Sequence, residues 1–127
     1  MKITKIILRI LLILLLIMPV LGTLGVFPAP TADLYTPQAW AFMSALMATG
    51  YMMPLLGITC AVCLVLFIIG RTALGAVILA PFTVNVVLFH AFLDATPVSA
   101  ASSMGWMLLI LNAFFLWTER KKYKALW

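Results

Sequence analysis

The sequence predicts an all-α protein: an integral membrane four-helix bundle with an additional short interfacial or re-entrant helix after the first span. Three observations carry this. Apolar residues make up 66% of the 127 positions, and only 8 Lys and Arg and 3 Asp and Glu are present. A soluble domain carries about 25% charged residues, and a chain this small could not withdraw so much apolar side chain from water. The apolar runs are continuous rather than alternating, which points to membrane helices and away from a lipid-facing barrel. The whole chain, 1–127, reads as one membrane domain without an internal repeat.

The spans are expected over 6–27, 51–70, 72–93 and 101–118, each near the ~20 residues that cross a hydrocarbon core at about 1.5 Å per residue. Arg9 lies one turn inside the first span, within reach of the headgroups through its long side chain. Pro19 and the Gly22/Gly25 pair predict a kink and a close helix contact in its outer half. The start "MKITKIILR" with the later "FPAPTA" resembles a secretory signal. The apolar run is longer than an ordinary signal core and the prolines do not suit cleavage, so the segment is read as a retained span.

The segment "PAPTADLYTPQ" is the turn-rich part of the chain. Thr36 before Pro37 reads as an N-cap with proline at the first helical position. A helix is expected over 37–49, stopped by Gly50. At ~20 Å it is too short to span, and it either lies in the interface, re-enters, or continues into the second span. Pro54 marks either a kink or the start of a fresh helix. Trp40 and Tyr51 suit the headgroup level. In the third span Pro81 deprives the Val77 carbonyl of its usual donor. Asn85, one turn later on the same face, is therefore expected to look into the bundle. Ala101 and Gly105 form a small-xxx-small pair on the fourth span. The terminal "WTERKKYKALW" reads as an interfacial anchor facing anionic lipid.

An even number of spans puts all 8 basic residues on one side and leaves Asp33 and Asp94 on the other. By the positive-inside rule both termini face the cytoplasm. The net charge of +5 then reflects topology and the lipid bilayer, not a nucleic-acid footprint.

Polar residues inside apolar runs are the candidates for chemistry. In "NVVLFHAFLDATP" (85–97), His90 and Asp94 are spaced i, i+4 on one face. A carboxylate is disfavoured at a helix C-terminus, and protonated His90 is the nearest group able to offset it. His90 is either a half-wet interfacial residue or part of a site, because ionisable groups in spans are rare and mark function. Asn85 is either inter-helix glue or a ligand contact. The "CAVC" pair, Cys60 and Cys63, shares a helix face. It reads either as two small buried hydrophobes or as a weak redox centre, since a thiol surrounded by lipid is a poor nucleophile. Two thiols and a distant histidine do not complete a metal site. The chain shows no nucleophile–base–acid set, phosphate loop or paired carboxylate for a self-contained hydrolase.

The segments "AFMSALMATGYMMPLLGIT" (41–59), "RTALGAVILAPFTVNVVLFHAFLDA" (71–95) and "WTERKKYKALW" (117–127) resemble the DoxX-like group of small four-span membrane proteins. The P-x-x-x-N-x-x-x-F-H-x-F-L-D pattern is the most specific part. The resemblance implies a four-helix bundle in a bacterial cytoplasmic membrane. It also implies a link to oxidoreductases, as some members serve as their membrane subunits, one with thiosulfate and quinone. Members often carry acids where this chain has Cys60 and Asn112, and "LGTLGVF" replaces a charged stretch common at the end of the first helix.

The expected function is accordingly a membrane subunit or accessory of an oxidoreductase that binds a quinone or similar small molecule. His90 would be the proton-exchanging group, Asp94 would orient it, and Asn85 would add a deeper contact. The rings of Phe82, Phe89 and Phe92 would wall the pocket, or merely pack. The alternatives are a structural membrane protein without chemistry and a thiol oxidoreductase using Cys60 and Cys63. Homo-oligomerisation, a partner subunit and transport are left open.

Overall fold

Three glycines with left-handed backbones punctuate the chain: Gly25, Gly50 and Gly70, with φ of 80°, 74° and 82°. A residue without Cβ adopts this conformation at no steric cost, and each closes a helix. The computed structural model describes residues 1–94 and 100–126. Helix α1 is Lys2–Thr23, α2 is Pro37–Ala48, α3 is Met52–Ile68, α4 is Thr72–Leu88, α5 is Ala100–Thr118 and α6 is Arg120–Tyr123. A π-helical turn, Phe89–Leu93, extends α4, and 3₁₀ turns cover Ala32–Leu34 and Lys124–Leu126. Among the described residues there is no strand. The expected "ATPVS" loop (95–99), Trp127 and the side chains of Ala100 and Ala101 lie outside the described residues.

The first helix is displaced from expectation, running Lys2–Thr23 rather than 6–27. Lys2 and Lys5 join its first turns. At the other end Gly25 N–H bonds to Gly22 O (3.4 Å) and Val26 N–H to Leu21 O (3.2 Å). This pairing satisfies carbonyls that the helix would otherwise orphan. Gly25 therefore turns the chain and touches no neighbouring helix, contrary to the expected Gly22/Gly25 packing. The same pairing ends α3 at Gly70, with Arg71 N–H on Leu66 O at 2.8 Å.

Thr36 caps α2 as expected, its hydroxyl accepting from Ala39 N–H at 3.2 Å. The α2–α3 junction bends by 88°, so α2 crosses the end of α3 instead of prolonging it. Pro54 falls in the first turn of α3 and marks a fresh start. Thr49 serves that start, accepting from Met52 N–H at 3.1 Å.

The long helices pack in the order α1–α3–α4–α5, and α5 returns to α1. Lys5 at the start of α1 meets Glu119 after α5, and Thr72 at the start of α4 meets the same carboxylate. Neighbouring helices therefore alternate in direction. The core joins Leu12 and Leu16 of α1, Cys63 and Phe67 of α3, Leu79 of α4 and Phe115 of α5. Outward faces remain apolar, as at Ile58 (61% exposed) and Ile110 (64%). Lys2–Thr23 and Thr72–Leu93 are long and apolar enough to cross a membrane, and α2 with α3 would add a third if taken as one bent span. Helix α3 alone, at 17 residues, reaches only about 26 Å against a ~30 Å hydrocarbon core. The four expected spans thus include segments that length alone does not establish.

Inward faces carry small residues. A Cβ on Gly57 of α3 would collide with the Thr23 hydroxyl and come within 2.7 Å of Thr23 Cβ. Gly105 of α5 would meet Val86 of α4 at 2.9 Å, in keeping with its half of the expected small-residue pair. Glu119, 8% exposed, fastens the basic end. It accepts from Lys122 (2.6 Å), Lys5 (3.4 Å) and Thr72 (3.2 Å). Burial pushes its pKa up, but the Lys122 hydrogen bond and charge, and then Lys5, outweigh burial and hold the carboxyl below its ordinary 4.5.

Two predictions follow from this packing. Gly57→Ala should lower unfolding stability in detergent by about 1–3 kcal/mol through overpacking, whereas Gly22→Ala, whose Cβ would meet only Phe27 at an ordinary 3.9 Å, should be neutral or gain up to about 1 kcal/mol of helix propensity. Because the folded-state pKa of Glu119 is depressed, its contribution is present above the unfolded value near 4.5 and disappears as pH falls through the folded value. Glu119→Gln should cost about 1–3 kcal/mol at neutral pH, and its gap from wild type should close on acidification below about 4.5. Thermal unfolding against pH measures both.

Candidate functional site

Helix α4 leaves α-geometry after Leu88. Asp94 N–H reaches Phe89 O at 3.0 Å, the i→i+5 bond of a π-turn. Such turns are uncommon and frequent at functional sites. Here the turn keeps His90 and Asp94 together, with Nδ1 3.1 Å from the carboxylate Oδ2. The two side chains are 13% and 15% exposed, too enclosed to be a simple wet surface pair. Thr36 holds the turn from outside, its hydroxyl donating to Leu93 O at 2.5 Å. One side chain thus caps α2 and binds the end of α4.

Beside this turn lies an open-sided cavity of about 480 Å³, within the ~300–1,000 Å³ typical of small-molecule sites. Its walls are predominantly apolar, with Pro19 and Thr23 from α1, Phe42 from α2 and Leu56 from α3. The polar contributions are Thr23, Asn85, His90, Asp94, Tyr35 and the Cys60 thiol. Phe89 is the hub of the aromatic wall. Its ring centroid is 5.2 Å from His90, 5.7 Å from Phe42 and 6.3 Å from Tyr35. Burial, and secondly the Asp94 charge, push the Tyr35 phenol above its ordinary 10.0. It therefore remains a protonated donor near neutral pH.

The expected site residues fall in three groups. Asn85, Phe89, His90 and Asp94 all line this cavity, and Phe82 joins them. Phe92 does not, being 74% exposed on the outer surface. The "CAVC" pair divides: Cys60 reaches the cavity wall, while Cys63 packs into the core with Leu12, Leu16 and Phe67. Both thiols are free and buried. Among the described residues no three His, Cys, Asp or Glu gather as a metal site.

The face carrying Pro81 and Asn85 differs from expectation. Both residues are exposed, so Asn85 stands at the open edge of the cavity and not inside the helix packing. The inward face of α4 is instead Ala76, Leu79, Thr83 and Val87. Inter-helix glue comes from Asn112 of α5, which donates to the Thr83 hydroxyl at 3.3 Å. Thr83 donates in turn to Ala80 O at 3.0 Å, and Asn112 Oδ1 is buried without a partner among the described residues. The signal for Asn112 was its position as a lone amide in "LLILNAFF". Nothing in the sequence linked Tyr35 or Phe42 to His90.

Thr36→Ala should remove both hydroxyl bonds and cost about 0.5–2 kcal/mol, with faster amide exchange in the Phe89–Leu93 turn; Thr36→Ser should restore both. Compared with known proteins, the chain matches no family model, no curated protein and no solved structure.

Proposed function

We propose that this chain is a four-span membrane bundle of the DoxX-like type, set in a bacterial cytoplasmic membrane with both termini inside. On this reading its cavity holds a quinone or another flat apolar molecule with a polar tip, in the service of a partner oxidoreductase. The observation that carries the reading is the convergence of Asn85, Phe89, His90 and Asp94 on one apolar cavity of about 480 Å³. The bilayer is supported by the apolar outer faces and by the gathering of Lys5, Arg9 and Lys122 at one end.

The chemistry follows from the walls. Phe82 and Phe89 offer faces and edges to a planar ring, a geometry worth about 0.5–1.5 kcal/mol beyond area burial. His90 donates to, or exchanges a proton with, a ligand oxygen. Asp94 fixes the ring orientation through Nδ1. Asn85 at the open edge selects for a second polar group. The protein binds and orients the molecule, and electron transfer is left to the partner.

Quinone extracted from protein purified in mild detergent tests the reading. His90→Ala should weaken binding about tenfold, the equivalent of one buried hydrogen bond of about 1.4 kcal/mol. Equal quinone in both proteins would remove His90 from the site, and quinone in neither would remove the ligand.

A further inference from the structure

The end of the molecule away from this cavity holds a second recess of about 200 Å³, lined by Lys5, Arg9, Thr72, Glu119 and Lys122 with Ile6 at its side. We propose that it is a binding site for the phosphate of an anionic phospholipid. The proposal takes the bilayer from the reading above but concerns other residues and another ligand.

Charge and position argue for it. Three cations face one carboxylate, a surplus of two positive charges. Glu119 is already engaged by Lys122 at 2.6 Å and Lys5 at 3.4 Å. Among the described residues no acid lies within ion-pair distance of Arg9. Yet Arg9 sits about two turns inside the apolar α1, where an uncompensated charge is costly. Its guanidinium lies against the α3–α4 turn, with Nη1 3.5 Å from where a Cβ on Gly70 would stand. A planar guanidinium matches phosphate oxygens in a fork geometry. Thr72, at the wall, opens α4, whose N-terminal end adds partial positive charge.

The recess is the size of several waters at about 30 Å³ each, room for a phosphate but not for acyl chains. Those have a track of their own. Ile6, Ile10 and Leu14 follow one another at i, i+4 spacing from the recess along α1, 49%, 50% and 57% exposed. A free phosphate would leave that apolar stripe unused, whereas a phospholipid covers it. Basic recesses between helices at the cytoplasmic face bind lipid headgroups for the same reason.

The test is native mass spectrometry of the full chain, counting bound phosphatidylglycerol and phosphatidylcholine of identical acyl chains, with inorganic phosphate as competitor. Each basic residue near a membrane surface contributes about fivefold in affinity, so wild type should prefer phosphatidylglycerol by at least that factor. Arg9→Gln should reduce the preference about fivefold and His90→Ala should preserve it. If Arg9→Gln does not fold, Lys122→Gln, at an exposed position, should also reduce it. Equal binding of the two lipids, binding of neither, or an unchanged preference in a folded Arg9→Gln or Lys122→Gln protein would overturn the proposal. Displacement by inorganic phosphate would overturn the lipid in favour of a soluble anion. A chain that stays monodisperse without detergent would instead sink the membrane reading itself.

Discussion

An amide surrounded by hydrocarbon has no water to turn to, and leaving it unpaired costs several kcal/mol. With apolar side chains on the outer faces of its long helices, this chain meets that demand inside each helix and then must meet it again wherever a helix stops. The stops use few devices. Gly25 and Gly70 return amides to the last-turn carbonyls, Thr36 caps α2 and Thr49 accepts from the first amide of α3, and the π-turn at Phe89–Leu93 closes α4. The positions of these closures set where the helices can approach, and so where the cavity forms.

The two ends of the molecule are chemically different because their polar residues are held differently. At the basic end a single buried carboxylate, Glu119, joins α1, α4 and the tail, so a charge cluster acts as a fastening. At the other end the fastening is neutral: the Thr36 hydroxyl binds the Leu93 carbonyl. That arrangement leaves the His90–Asp94 pair facing a cavity instead of being consumed by packing. The imidazole and carboxylate are largely enclosed there, at 13% and 15% exposure.

Between the ends, small residues share the inward faces with the large core side chains. Gly57, Cys60 and Cys63, Gly75, Ala76 and Thr83, and Ser102, Gly105 and Asn112 sit there beside Leu12, Leu16, Phe67, Leu79 and Phe115, while other large aliphatic residues look out. Small residues let backbones approach closely, and Thr83 with Asn112 adds a cross-helix bond. Cys60 and Cys63 fit this scheme as compact core side chains, although Cys60 also reaches the cavity.

Much of this was legible from residues alone. Continuous apolar runs dictated helices, because no other unclosed backbone arrangement satisfies itself in an apolar medium. Thr36–Pro37 and Gly50 marked boundaries by local geometry, and the i, i+4 spacing put His90 beside Asp94. What the residues could not specify was direction. A helix apolar all round has no sequence-encoded inner face, so the outward turn of Pro81 and Asn85, the exposure of Phe92 and the splitting of the Cys60/Cys63 pair emerged only from packing. The same holds for the 88° bend before α3, and for the meeting of Tyr35, Phe42 and Phe89. Those contacts join residues far apart in the chain, and local periodicity carries no information about them.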